Sequence, residues 1–189
     1  QFNTVKGRED LEPLLEDPEY VNSWGLYDDT LYDITADEIR RLDNDETAPW
    51  GVVSLNLAGH APNGYPSQSC VEQQGEFDGQ DILYSVKCSA WLARHLIERL
   101  ESEGLILSDH LTMRVSVWDQ LTALDRDNTL IMLGNGIEPQ RIRRDATMLD
   151  VFPTILDALG FNLERDRAGL GTSLFSSNRT LVEAHGIEV

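Results

Sequence analysis

Long apolar runs are absent from this chain. No stretch approaches the roughly 20 apolar residues that a transmembrane helix needs, and the start lacks a signal peptide. Positive charge is scarce: Lys and Arg number 15 against 33 Asp and Glu, a net charge of -18. Such a surface repels phosphate backbones and anionic lipid, which argues against nucleic-acid or polybasic membrane binding. It also repels an anionic substrate, unless a metal or a local basic group reverses the field at the site. Internal repeats and low-complexity tracts are missing too, which excludes solenoids and biased linkers. Cysteine is limited to Cys70 and Cys88. They read either as two small buried thiols or as one disulfide, worth about 3 kcal/mol for a loop of that order and at home in an oxidising compartment.

What is present is ordinary globular composition, 41% hydrophobic and 25% charged, in 189 residues. That length suits one domain, 1–189, or one large piece of a bigger one, and can bury roughly 70% of its extended surface. The chain begins at Gln1 rather than Met, so a processed form or a cut piece of a longer protein is expected.

Residues 8–20 are acidic and broken by Pro13 and Pro18, which predicts short helix or loop. Thr35–Asp45 reads as an exposed helix, with Thr35 as N-cap and Glu38 completing a capping box. Trp50–His60 begins as a buried strand through Val52, Val53, Leu55 and Leu57. The loop Ala61–Ser67 follows, rich in Pro, Asn and Gly. Ile82, Leu83, Val86, Ala90, Ala93, Leu96, Ile97 and Leu100 recur at helical spacing, and Gly104 is placed to cap that helix. Strands are expected at Leu105–Leu107 and Asn128–Asn135. A last helix is expected over Asp150–Gly160, with Asp150 as N-cap, Pro153 in the first turn and Gly160 past the end.

Short aliphatic strands alternating with helices predict an α/β domain with a largely parallel sheet flanked by helices. Ligands in such folds bind beyond the carboxyl ends of the strands. His60 and the pair Asp109–His110 stand just past predicted strands. A carboxylate oxygen and an imidazole nitrogen are a common ligand pair for zinc or manganese. The competing reading is that Asp109 caps the next turn and His110 is solvated. His60 likewise reads as a site residue or as a loop histidine without a role. His95, among Arg94, Glu98 and Arg99, and His185 in the tail read as solvated. The tryptophans, Trp24, Trp50, Trp91 and Trp118, read as core or rim packing more than as substrate platforms. Arg141, Arg143 and Arg144 form the one basic cluster, a phosphate-attracting patch or, more simply, a solvated face. Asn178–Thr180 spells a glycosylation acceptor, too short to weigh.

Several stretches together resemble the extracytoplasmic catalytic domain of membrane-anchored phosphoglycerol transferases. These belong with lipoteichoic acid synthases and sulfatases in the alkaline-phosphatase-like superfamily. The stretches are Ser23–Asp33 (SWGLYDDTLYD), Gly59–Cys70 (GHAPNGYPSQSC), Val86–Leu96 (VKCSAWLARHL), Ser108–Met113 (SDHLTM), Asp150–Phe161 (DVFPTILDALGF) and Gly169–Phe175 (GLGTSLF). They run in the family's order, and the chain resembles the C-terminal portion of that catalytic domain. The resemblance implies that Asp109 and His110 hold a divalent metal, manganese first, with magnesium, calcium or zinc as alternatives. It implies that His60, in His60-Ala61-Pro62, lies in the substrate pocket, and that Cys70 and Cys88 form a disulfide. It implies transfer of phosphoglycerol from a lipid donor to a periplasmic glucan or similar acceptor, by way of a threonine nucleophile. The parent protein would be anchored in the inner membrane.

The resemblance also places the nucleophilic threonine and the first acidic ligand upstream of Ser23, and Gln1–Asn22 holds no counterpart; Thr4 follows no strand and opens no helix. Where the family shows a Thr-Asp-Thr-His-His-Pro type run, this chain reads SLNLAGHAP, and its segment before Asp109 is short. Little or no activity is expected of the chain alone. The alternatives are a sulfatase or phosphodiesterase of the same superfamily, and a degenerate, non-catalytic domain that binds glucan or a partner protein.

Overall fold

A computed structural model describes residues 3–45, 50–74, 82–100, 104–108, 111, 113–134 and 137–186. The chain divides into two compact units, Gln1–Ile131 and Met132–Val189.

The first unit opens with a short helix, α1 (Arg8–Leu11), and a 3-10 turn at Glu12–Leu14 that carries Pro13. A small hairpin follows, β1 (Val21–Asn22) antiparallel to β2 (Gly25–Leu26). Then come α2 (Asp28–Asp45), α3 (Gln68–Gln74), α4 (Ile82–Leu100), β3 (Gly104–Leu107) and α5 (Trp118–Thr122). Strand β4 (Leu130–Leu133) neighbours β3 in a two-stranded sheet and spans the division between the units.

Helix α4 forms where the 3.6-residue repeat predicted it, and ends at Leu100. Gly104 does not cap it but opens β3. The buried face of α4 carries Ile82, Ser85, Cys88, Ser89 and Leu92, and α4 packs along α2. At that seam Cys70 and Cys88 are joined in a disulfide. Both are buried, packed with Leu92 and flanked by Tyr32, Tyr84 and Trp91. The bridge ties α3 to α4, so the disulfide expectation holds.

Three sequence expectations need correction. Helix α2 starts seven residues before Thr35, and Thr35 lies buried within it. Its hydroxyl donates back to the Leu31 carbonyl at 2.8 Å and lies 3.0 Å from Ser54 Oγ. A threonine inside a helix can satisfy its hydroxyl this way, so the capping pattern read from the sequence is not its role here. The acids that favour the helix N-terminus are Asp28 and Asp29. Second, Trp50–Leu57 forms no strand. Val53 is 77% exposed and Leu55 67%. Apolar alternation makes a strand only where a ladder partner exists, and none pairs with it among the described residues. Third, the sheets seen are two-stranded, and the two whose direction is set are antiparallel. The architecture is mixed helix and strand, without a large parallel sheet among the described residues.

The second unit contains α6 (Met148–Ala158), a 3-10 turn (Glu164–Asp166), a hairpin of β5 (Arg167–Ala168) and β6 (Gly171–Thr172), and α7 (Leu181–His185). The N-cap of α6 is Thr147, not Asp150. Asp150 sits at the third helical position, where its Oδ2 accepts from Thr147 N at 2.8 Å and its Oδ1 from Thr172 N at 2.8 Å. One buried carboxylate thus closes the capping box and holds β6. Gly171 permits that approach: a Cβ there would meet the Leu149 carbonyl oxygen at 1.8 Å. Gly160 ends α6 at φ +79° as expected. Arg144 is not solvated. It donates to Glu183 through Nε and Nη2 at 3.0 and 2.6 Å and to the Ser176 carbonyl at 2.7 Å, fastening α7.

No helix among the described residues is long and apolar enough to cross a membrane.

Candidate functional site around His60

His60 sits in the loop that follows the extended segment, half-buried and face to face with the indole of Trp24. The ring centroids are 3.8 Å apart and the planes 33° from parallel. His60 Nδ1 lies 2.8 Å from the Ala61 carbonyl. A carbonyl only accepts, so Nδ1 carries the proton in that bond and Nε2 is the acceptor of the neutral ring. Trp24 itself is 47% exposed, so the two rings form an open aromatic surface, not core packing. The neighbouring hairpin supplies Ser23, whose Oγ lies 2.8 Å from the Tyr65 hydroxyl. The His60 loop also contains the cis peptide Ala61–Pro62.

The loop is held from beneath by Asp28, the first residue of α2, which is fully buried. Its Oδ1 accepts from the backbone N–H of Leu57 and of Ala58, each at 3.1 Å. Its Oδ2 accepts from Asn56 Nδ2 at 3.0 Å and from the Ser89 hydroxyl. Four donors from the loop root and α4 therefore converge on one carboxylate, the arrangement that makes a buried charge tolerable. The same charge adds to burial in pushing the Tyr32 phenol well above its ordinary value. Burial comes first, and the phenol stays neutral. Behind the loop, Gly64 has φ +76°, and a Cβ there would meet Ser85 Oγ at 2.3 Å and the Ala58 carbonyl at 3.0 Å. Only glycine lets the loop lie this close to α4. Tyr65 N then donates to the Ala58 carbonyl at 2.7 Å, closing the turn.

Neighbouring Asp29 anchors a second side of the same helix start. Its Oδ2 accepts from the Tyr20 hydroxyl at 3.0 Å and the Ser69 hydroxyl at 2.8 Å. Tyr20 stacks on Tyr27 with centroids 4.4 Å apart. The adjacent acids Asp28 and Asp29 thus brace the His60 loop and the start of α3.

Asp109 and His110 lie outside the described residues. The strand that leads to them does not. Beyond the end of β3, Ser108 N donates to the Thr129 carbonyl at 2.9 Å and Thr129 N to Ser108 Oγ at 3.1 Å. The point from which the pair emerges is therefore pinned to the segment before β4. Among the described residues, no three His, Cys, Asp or Glu side chains are grouped to hold a metal. His95 is half-exposed on α4, edge-on to Trp91 at 4.4 Å. His185 ends α7.

Sequence reasoning singled out His60 but missed Trp24, Asp28, Asn56 and Ser89. For Trp24 and Asp28 a signal existed, since both fall in the SWGLYDDTLYD stretch that carried the resemblance. For Asn56 and Ser89 there was none, because one lies in an apolar run and the other in an ordinary helix.

Known proteins were compared with the chain. It is 29% identical over 188 residues to phosphoglycerol transferase I of Citrobacter koseri (strain ATCC BAA-895), a match covering 93% of this chain. Identity and coverage are the same against phosphoglycerol transferase I of Escherichia coli (strain 55989) and of Shigella boydii serotype 18. No family model matches. No solved structure matches. The chain spans about a quarter, 24%, of the length of these curated relatives. It is thus a relative of phosphoglycerol transferase I, similar along nearly its whole length to one part of a longer protein.

Proposed function

We propose that this chain is the C-terminal portion of the catalytic domain of a phosphoglycerol transferase, acting as part of a longer polypeptide. The observation that carries the reading is the match to relatives of that name over 93% of the chain. The His60 surface agrees with it. An indole and an imidazole set face to face, with Nε2 free to accept, suit a small polyol such as glycerol, whose C–H edges pack on rings and whose hydroxyls need an acceptor.

In this reading, His60 accepts a proton or hydrogen bond from a substrate hydroxyl, and Trp24 shields one side of it from water. Asp28 fixes the loop so that the ring need not be ordered when substrate arrives. Asp109 and His110 hold a divalent ion, manganese first. One carboxylate and one imidazole suit its borderline donor preference and make up part of a set. When bound, such an ion supplies charge to the phosphoryl oxygens, which the field of a -18 chain would otherwise repel. The remaining ligand and the threonine nucleophile would come from the part of the polypeptide that this chain does not match.

The exposed Val53 and Leu55 support an incomplete sheet. An alkaline-phosphatase-like sheet completed by the rest of the polypeptide would cover them. The buried Cys70–Cys88 bridge supports an oxidising, periplasmic setting. The donor is a phosphoglycerol lipid and the acceptor a glucan or a similar hydroxyl compound.

The test uses the full-length protein that contains this chain, supplied with manganese, a phosphoglycerol lipid and a periplasmic-type glucan. Mass spectrometry should show a phosphoglycerol adduct on the glucan. The adduct should be lost in Asp109→Ala and reduced at least a hundredfold in His60→Ala. Absence of product from the unaltered protein would overturn the proposal.

A further inference from the structure

A cavity of about 200 Å³ opens between α2 and α4, and it shares no residue with the Trp24–His60 surface. We propose that it is a carbohydrate subsite that takes one neutral pyranose unit of an oligosaccharide. Its walls are the ring carbons of Trp91 and Tyr32. Its polar groups are Asp33, His95 and Arg99 at the mouth and Asp29 deeper in.

The chemistry of these groups narrows the ligand. An anion is disfavoured, because two carboxylates line the space in a chain of charge -18. A cation gains little. Arg99 already pairs with Asp33, and both oxygens of Asp29 are occupied by Thr30, Tyr20 and Ser69. A purely apolar ligand would leave the mouth's polar groups unpaired on burial. A neutral polyol with one apolar face meets every wall. The C–H edges of a pyranose are weakly positive and suit the negative face of an aromatic ring. Its vicinal hydroxyls can bridge the Asp33–Arg99 pair, one donating to the carboxylate and the next accepting from the guanidinium. Asp33 uses Oδ1 for Arg99, and its other oxygen has no partner among the described residues. His95 engages Glu98 through Nδ1 at 3.4 Å, which leaves Nε2 toward the ligand side. The volume is below the range of about 300 Å³ and upward that drug-sized ligands occupy, and suits a single ring of a longer chain that continues into solvent.

The cavity's floor is rigid. The Cys70–Cys88 bridge and Leu92 sit against Trp91 and Tyr32, so the aromatic walls are ordered before any ligand arrives. Assigning the bound sugar as the acceptor rests on the transferase reading above. Binding itself does not.

The experiment is isothermal titration of this chain with laminarihexaose, a soluble glucose hexasaccharide. A saturable isotherm with a dissociation constant at or below about 1 mM is expected. Trp91→Ala and Asp33→Asn should each weaken it at least tenfold. Trp91→Phe, which keeps an aromatic wall and spares the core, should weaken it less. Trp24→Ala should leave it unchanged. Thermal melts of each variant separate lost binding from lost fold. No binding up to about 20 mM sugar overturns the proposal. So does binding that survives Asp33→Asn and Trp91→Phe unaltered but is lost in Trp24→Ala. Because the readout is binding by this chain, an inactive full-length enzyme leaves the subsite standing, and a sugar-blind chain leaves the transferase reading standing.

Discussion

Asp28 organises the region around His60. A carboxylate with no exposed surface accepts two backbone N–H groups and two side-chain donors. Removing it leaves those donors buried without a partner, which costs far more than one ordinary hydrogen bond. Asp28→Ala should therefore lower stability by on the order of 3 kcal/mol. The His60 ring resonances in NMR spectra should broaden as the loop loses its anchor. A variant that melts within a degree of the parent and keeps sharp resonances would show that the loop is held elsewhere. This role could not be read from the sequence. An Asp-Asp pair ahead of a helix is the ordinary sign of a favoured N-terminus, and Asp29 looks the same as Asp28. Only the fold buries one of them under an extended segment 30 residues downstream.

Two clamps decide the stability of individual elements. The first is the Cys70–Cys88 bridge between α3 and α4, which closes a loop of 18 residues. Its reduction should cost about 3 kcal/mol and lower the melting temperature by roughly 6–12 °C at this chain length. Thermal scans with and without dithiothreitol measure it; equal curves would mean that the helix seam suffices. The second is the Arg144–Glu183 pair that fastens α7. The Arg144 guanidinium, followed by the Thr180 backbone N–H, holds the Glu183 carboxyl at about 2, below its ordinary 4.5. A carboxyl depressed in the folded state stabilises fully above its unfolded value and loses that contribution as pH falls toward the folded one. Stability should therefore decline between pH 4.5 and about 2, and Glu183→Gln should flatten that part of the melting-temperature profile. Parallel profiles would assign the acid sensitivity to other carboxylates, such as Glu38, held at about 2 by Arg41 and then Lys6. The sequence pattern showed Arg144 only as one of three arginines in a row of exposed-looking charges. Its partner lies 39 residues away, a separation that no local pattern encodes.

The whole molecule carries a net charge of -18, and such a surface repels itself in the compact state. Raising sodium chloride from about 0.01 M to about 0.15 M shortens the screening length from about 30 Å to about 8 Å. The melting temperature should rise by several degrees across that range. A flat or falling trend would mean that surface ion pairs such as Arg41–Glu38 and Arg99–Asp33 outweigh the repulsion. At this scale the chain also shows a mismatch between pattern and environment. Val53 and Leu55 alternate as strand residues do, yet face outward without a ladder. Strand propensity describes a half-buried pleated surface and needs a neighbour to express it.

By itself the sequence determined what depends on near neighbours. Helix α4 followed from apolar residues three and four apart, the end of α6 from Gly160, and strands β3 and β4 from short aliphatic runs. The ordered motifs also pointed to the relatives that the chain matches. Tertiary structure alone decided which groups meet across long separations: Asp28 with the root of the His60 loop, Trp24 with His60, Cys70 with Cys88, Arg144 with Glu183, and Asp33 with Arg99 across the α2–α4 cavity. The physical reason is one of range. Backbone propensity and capping act over a few residues, whereas a buried charge or an aromatic face finds its partner only when the chain folds back on itself.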